Sequence, residues 1–258
     1  MANADETGWR EQGRRCWLWV AVTALVTVFL VRPSRGGRSA KDLLGTEYAG
    51  VVGSDRWGGY NWVATARRQL CWSHLVRDFT AVAERGGASR ALGTACLDVA
   101  RRLFALWYRV RDGTLDRMAF ATLAAPLRAE MHALLTTGRT IAHAETRHLC
   151  ENLLKVEPAL WTFVAAGGVE PTNNSAERAL RRAVLWHRRS FGTQSPEGSR
   201  FVGRILAAVA TLRQQDRDVL DYLTDAARAA ADGVPAPTLL PLPAPAETAA
   251  PASLQDAA

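Results

Sequence analysis

The sequence predicts an α/β fold, and three observations carry that expectation. Strand-like runs rich in Val, Trp, Phe and Thr crowd into the first 55 residues, apolar positions recur at helical spacing between residues 74 and 165, and amphipathic helices follow residue 175. With 258 residues, 48% of them hydrophobic, the chain can bury a substantial core.

The segment CWLWVAVTALVTVFLV, residues 16 to 31, follows Arg10, Arg14 and Arg15 and superficially has the look of a signal anchor. It is shorter than the ~20 residues a spanning helix needs, and Thr23 and Thr27 interrupt it. Two adjacent strands turning near Thr23 to Leu25 fit better, although no Gly, Pro or Asn marks the turn. RPSRGGRS then reads as a basic loop and residues 39 to 44 as a short helix. GVVGSD, residues 50 to 55, reads as a strand whose carboxyl end carries Asp55, where α/β folds collect polar site groups.

Further on, LDVARRLFALWYRV places apolar side chains at 97, 99, 103, 106, 107 and 110, the spacing of a helix packed on one face. Residues 115 to 136 and 140 to 155 repeat that pattern. Helices are expected from about Ser175, from Gly198 to Gln214 and from Arg217 to Ala231, the first two joined by the turn-rich loop SFGTQSPEG. From residue 232 a Pro- and Ala-rich tail without an apolar face predicts disorder.

Lys and Arg number 32 against 25 Asp and Glu, a net charge of +7 that favours an anionic partner such as nucleic acid or a membrane surface. Between Thr172 and Arg204 stand seven Arg and only two acids, Glu177 and Glu197, so a basic stripe is expected there. An Arg-rich chain whose only lysines are Lys41 and Lys155 also fits an ordinarily solvated surface. Cys16, Cys71, Cys96 and Cys150 show no C-x-x-C spacing, which argues against a disulfide framework or a zinc ribbon and suits a reducing cytoplasm. Cys71 and His74 offer two metal-ligand types, yet no second pair follows at a suitable spacing, and burial is the better reading.

The stretch EPTNNSAERALR, residues 170 to 181, admits two readings. With Asn174 as N-cap, Glu177 completes a capping box and pairs with Arg181 one turn on. Alternatively, Ala176, Leu180, Ala183, Val184 and His187 project as the apolar stripe, and Glu177 lies on its border with Arg181 and Arg188. An acid so placed can reach a cleft at the ends of a sheet, where Asp5 and Asp55 are the candidates to meet it.

DETGW at 5 to 9, CWLWV at 16 to 20, SDRWGGYN at 54 to 61, LCWSHLVRDF at 70 to 79, EPTNNSAERALR at 170 to 181 and SFGTQSPEGSRF at 190 to 201 resemble, in this order, the catalytic domain of the insertion sequence 66 family of bacterial transposases. The resemblance covers residues 1 to about 230. It implies a ribonuclease H-like mixed sheet with a large helical insertion before the last catalytic acid. Residues 1–73 would then form the first part of the core, 74–165 the insertion and 166–231 the last part of the core. It also implies a catalytic, metal-binding triad of Asp5, Asp55 and Glu177, with Glu6 adjoining Asp5 as a residue easily taken for it.

Three carboxylates in close quarters repel by roughly 4 kcal/mol per pair at an effective dielectric of 20, which divalent cations relieve. Two Mg²⁺ ions, with Mn²⁺ as a substitute, suit such hard oxygen ligands and in-line displacement at phosphorus. Arg178, Arg181, Arg182, Arg188 and Arg189 would contact DNA phosphates, at transposon ends and target. Trp57, Tyr60, Asn173 and Asn174 would shape the site or touch DNA, unless they serve in packing and capping.

Members of this family usually carry a long amino-terminal region with DNA-binding elements, so the chain is expected to be truncated. Three readings follow: an active transposase core in the bacterial cytoplasm, at the nucleoid; a non-catalytic remnant that binds DNA or pairs with full-length transposase and interferes with it; and a membrane-anchored helical protein.

Overall fold

The computed structural model describes residues 1–240. Its first strand, β1 (Ala2–Glu11), returns through Gln12 and Gly13 into β2 (Arg14–Val22). Both turn residues have positive φ, 51° and 73°, as a two-residue turn needs in order to follow the twist of its strands. β1 and β2 pair antiparallel from Asn3↔Val22 to Glu11↔Arg14, and β2 pairs antiparallel with β3 (Thr27–Arg32). The turn between β2 and β3 lacks the usual turn residues because a threonine builds it. Thr23 Oγ1 accepts from the amides of Leu25 and Val26 and donates to Val26 O.

β4 (Val52–Ser54) joins β1 in parallel, and β5 (Arg68–Leu70) joins β4 in parallel. The result is a mixed five-stranded sheet in the order β3-β2-β1-β4-β5. β2 is interior to this sheet and covered on both faces, which explains the unbroken apolar run that from sequence alone resembled an anchor. The membrane-anchored helical reading is thereby corrected: residues 16–31 form strands, and no helix among the described residues is long and apolar enough to cross a membrane.

One face of the sheet carries α1 (Gly37–Leu44), closing a core of Ala4, Trp19, Ala40, Val52 and Tyr60. The other carries α7 (Asn174–Ser190) and α8 (Pro196–Gln214), which enclose Trp9, Leu18, Val20, Phe29, Ala176, Leu180, Ala183 and Val202. Between β5 and α7 the chain builds α2 (Trp72–Ala83), α3 (Gly87–Arg111), α4 (Arg117–Gly138), α5 (Ala144–Lys155) and α6 (Thr162–Ala165) around a core of their own. Trp107, Phe120 and Phe163 meet there with ring centres 5.4 to 5.8 Å apart.

This helical layer is tied to the sheet edge by buried polar groups of β5. Phe163 N donates to Gln69 Oε1 at 2.7 Å, and Thr162 Oγ1 to Arg68 O at 2.7 Å. α9 (Val219–Ala231) packs on α8. Of the tail expected from residue 232, the described part returns to these helices, with Tyr222 Oη donating to Pro237 O and Gln215 Nε2 to Leu239 O. Residues 241–258 lie outside the described residues.

Candidate active site

Strand alternation separates the two neighbouring acids of β1. Asp5 shares its face with Asn3 and Trp9, beneath α7, whereas Glu6 faces the α1 side. There Glu6 is fully buried, accepting from Tyr60 Oη at 2.8 Å and from Arg35 Nε at 2.7 Å. The Arg35 guanidinium lies between two indoles, 4.9 Å from the Trp17 ring centre and 4.2 Å from that of Trp57. Trp57 Nε1 donates in turn to Arg35 O.

Asp55 follows β4 directly, and the parallel register that sets Asn3 beside Gly53 brings it to the level of Asp5. Its Oδ1 accepts from Trp57 N at 2.9 Å. The buried Arg68 fixes the backbone of this loop, donating to Asp55 O and Trp57 O and to Asn61 Oδ1. Arg56 is held by Asp78 of α2 at 2.8 Å.

α7 brings the third acid. Its N-cap is Asn173 rather than Asn174, and no side chain caps it. Asn173 is fully buried, and its amide donates to Ala4 O of β1, while Asn3 Nδ2 donates to Ser175 Oγ at 2.8 Å. These two bonds pin the start of α7 beside Asp5. The expected capping box is therefore absent, because the cap falls on Asn173, whose side chain is spent on β1, and not on Asn174.

Glu177 also does not pair with Arg181. Its Oε1 stands 3.5 Å from His74 Nε2 and 3.5 Å from Arg77 Nη2, both on α2. Nothing in the sequence pointed to these two as its neighbours, because α2 meets α7 only through the fold. Asn174 Oδ1 accepts from Ser73 Oγ of the same helix. Cys71, once paired with His74 as a possible ligand, is buried and accepts from Asn173 N instead, and all four cysteines are free and buried.

Electrostatics link the three acids. The Asp5 carboxyl is pushed from 3.8 up to about 7, chiefly by burial and further by the charges of Glu6, Asp55 and Glu177. Burial also raises Glu6, against the pull of Tyr60 and Arg35. It lowers His74, helped by Arg77 and opposed by Glu177. Asp5, Glu6, Thr7 and Glu177 line one cleft of about 430 Å³ together with Leu180, Arg181, Val184, Leu185 and Arg188. Among the described residues, no three His, Cys, Asp or Glu side chains stand close enough together to hold a metal ion as they are.

The basic residues of α7 do not form the single stripe expected. Arg178, Arg181, Arg182, Arg188 and Arg189 are all exposed. Arg181 and Arg188 line the cleft with Asp5 and Glu177, whereas Arg178 and Arg182 line a groove toward α8. The helical period separates the two rows by about 100°. The apolar stripe is as expected, with Ala176, Leu180 and Ala183 buried and the His187 ring 4.9 Å from that of Trp9.

The loop after α7 closes the far end of β1. Phe191 caps α7 in the left-handed region, and Gly192, at φ 104°, passes so close that a Cβ would overlap Arg10 O. Thr193 then exchanges backbone bonds with Arg10 and Gln12 and accepts from Trp9 Nε1.

A family model described as Transposase IS66 family matches residues 1–200. Two proteins of Sinorhizobium fredii (strain NBRC 101917 / NGR234) are similar to the chain. "Uncharacterized protein y4hP" is 27% identical over 219 residues, 77% of this chain and 39% of its own length. "Uncharacterized protein y4qI" is 23% identical over 252 residues, 86% of this chain and 45% of its own length. The chain thus spans less than half the length of either relative. No solved structure matches it.

Proposed function

The chain belongs to the IS66 family of transposases, and from that premise we propose that it is a DNA transposase catalytic domain, cutting and transferring phosphodiester strands at Asp5, Asp55 and Glu177. The observation that carries this reading is that three acids from distant parts of the sequence meet in one electrostatic neighbourhood, where two of them raise the third. The ribonuclease H-like reading of the sheet is supported by its strand order, by the parallel β4 and β5 beside an antiparallel β1–β3, and by α7 lying over β1.

The donor set suits a hard divalent cation. It consists of carboxylates, one of which resists ionisation without added positive charge, and the buried Oδ1 of Asn173, whose amide nitrogen bonds Ala4 O next to Asp5, has no donor among the described residues. Asp5, Asp55 and Glu177 would hold Mg²⁺, with Mn²⁺ as its substitute. The ions, when bound, would supply activation of the attacking oxygen and stabilisation of the departing one.

The protein's own groups do the rest. Arg181 and Arg188, in the same cleft, offer guanidinium forks to phosphate oxygens, and affinity resting on such contacts falls steeply with salt. Arg68 and the Glu6–Tyr60–Arg35 network hold the loop that carries Asp55. His74 and Arg77 hold Glu177 at the cleft wall.

Calorimetric titration of Mn²⁺ into the protein and its Asp55→Asn variant tests the reading. Binding to the first and none to the second is expected, followed by nicking of duplex DNA in Mg²⁺. Absence of binding to both would overturn the catalytic reading. A second reading would then stand, a non-catalytic DNA-binding protein that interferes with longer members of its family. It is favoured by the engagement of Glu177 with His74 and with the Arg77 guanidinium.

A further inference from the structure

On the side of α7 turned away from the carboxylates lies a groove of about 520 Å³, walled by α7, α8 and the β2–β3 turn. Arg178 and Arg182 line it from successive turns of α7, and Arg213 reaches it from the last turn of α8. Thr23, Thr27 and Ser175 add hydroxyls, and Phe29, Leu206 and Ala210 lie among its apolar lining. No acidic side chain lines it.

The walls are held in place. Thr27 N donates to Thr211 Oγ1 and Thr211 Oγ1 to Thr27 O, while Gln214 accepts from Thr27 Oγ1 and donates to Thr23 O. The three arginines take no part in this. Elsewhere the fold uses guanidinium groups as internal ties, in Arg35 on Glu6, Arg68 on the Asp55 loop and Arg117 on the carbonyls of Phe163 and Ala166. Arg178, Arg182 and Arg213 make neither an ion pair nor a side-chain hydrogen bond among the described residues.

Three like charges converging on a groove with an apolar lining repel one another, and a neighbouring anion relieves that repulsion most where water is partly excluded. Guanidinium forks match phosphate oxygens in bidentate geometry.

We propose that this groove is a second nucleic-acid site, in which Arg178, Arg182 and Arg213 grip the phosphate backbone of a duplex DNA segment distinct from the strand at Asp5, Asp55 and Glu177. The inference rests on the DNA-binding reading above and adds Arg213 and a separate location. α7 becomes a partition with DNA on both sides, Arg181 and Arg188 serving the cleft and Arg178 and Arg182 the groove.

Duplex binding followed by fluorescence anisotropy in EDTA tests this without any need for metal or chemistry. Each phosphate contact contributes about 0.9 to the slope of log affinity against log salt, so the triple variant Arg178→Gln/Arg182→Gln/Arg213→Gln should lose about 2 to 3 from that slope. Between about 50 and 200 mM salt, the wild-type affinity should then fall about 40-fold more than that of the variant. The double variant Arg181→Gln/Arg188→Gln should lose its own share independently, and the triple variant should keep the Mn²⁺ titration of the parent.

An unchanged slope in the triple variant would overturn the second site and leave the cleft reading standing. So would inorganic phosphate at low millimolar concentration displacing the duplex, or a parent protein that does not bind duplex. Failure of Mn²⁺ binding alone would overturn the catalytic reading and leave the groove result intact.

Discussion

Replacing Asp5 with Asn should stabilise the metal-free protein, and the gain should grow with pH. The Asp5 carboxyl is raised from 3.8 to about 7, first by burial and then by Glu6, Asp55 and Glu177. A raised carboxylate means that the folded protein keeps a proton that the unfolded chain releases, so stability is full below about pH 4 and falls as pH rises toward 7. The loss runs at about 1.4 kcal/mol per pH unit, and a shift of about 3 units gives about 4 kcal/mol by pH 8, an upper bound because the cleft admits water. Asn has nearly the same shape, can still accept from Glu6 N as Asp5 Oδ1 does, and cannot ionise. Urea unfolding in EDTA at about pH 4, 6 and 8 should therefore show a negligible gain at the first, an intermediate gain at the second and the largest at the third. Equal or lower stability of the variant at pH 8, or a gain independent of pH, would refute the claim that Asp5 sits in an uncompensated field.

Two substitutions outside the Asp5, Asp55 and Glu177 set check the frame that positions it. Glu6→Ala strips the buried Tyr60 hydroxyl and Arg35 of their acceptor, and chemical denaturation should show a loss of about 3 kcal/mol. Gly192→Ala adds a methyl group against Arg10 O at a φ of 104° that L side chains rarely adopt, so thermal unfolding should report a loss of about 2 kcal/mol or more. A much smaller effect in the second case would mean that the α7–α8 loop is not locked to β1.

The parts of this fold that were legible in sequence are those with a repeating signal. The 16–31 hairpin, the long helices of the middle segment and the buried stripe of α7 all follow from apolar spacing. β5 was not legible, since it is three residues long and two of them, Arg68 and Gln69, are polar; both are nonetheless buried because their side chains bond backbone on either side of the strand. The choice between Asp5 and Glu6 was open from their adjacency alone, yet period-2 alternation allows only one of them to face α7. The spacing to Glu177 pointed to Asn174 as the N-cap, whereas Asn173 occupies that position. Only the proximity of Ala4 O, 169 positions away in the chain, decides that Asn173 turns to β1. His74 and Arg77 gave no local sign of meeting Glu177, because that contact joins side chains 100 positions or more apart in the chain.

The six sequence blocks that carry the family resemblance can be read physically as one construction around β1. The first supplies Asp5 and Glu6, and the second adds Trp17, which stacks on Arg35 and so steadies the charge opposite Glu6. The third brings Asp55 with Trp57, Tyr60 and Asn61, each bonded to the same network. The fourth contributes Asp78 on Arg56, and His74 and Arg77 on Glu177. The fifth places Asn173 on Ala4 and Glu177 at the cleft, and the sixth locks α7 to the end of β1 through Gly192 and Thr193. Every block reaches the acids through at least one hydrogen bond, ion pair or ring contact with another block. Replacing a side chain that makes one of these contacts should therefore disturb the position of the carboxylates even where it touches none. The side chains of Arg178, Arg182 and Arg213 make no such ties among the described residues, so these three can be changed while the carboxylate frame stays where it is.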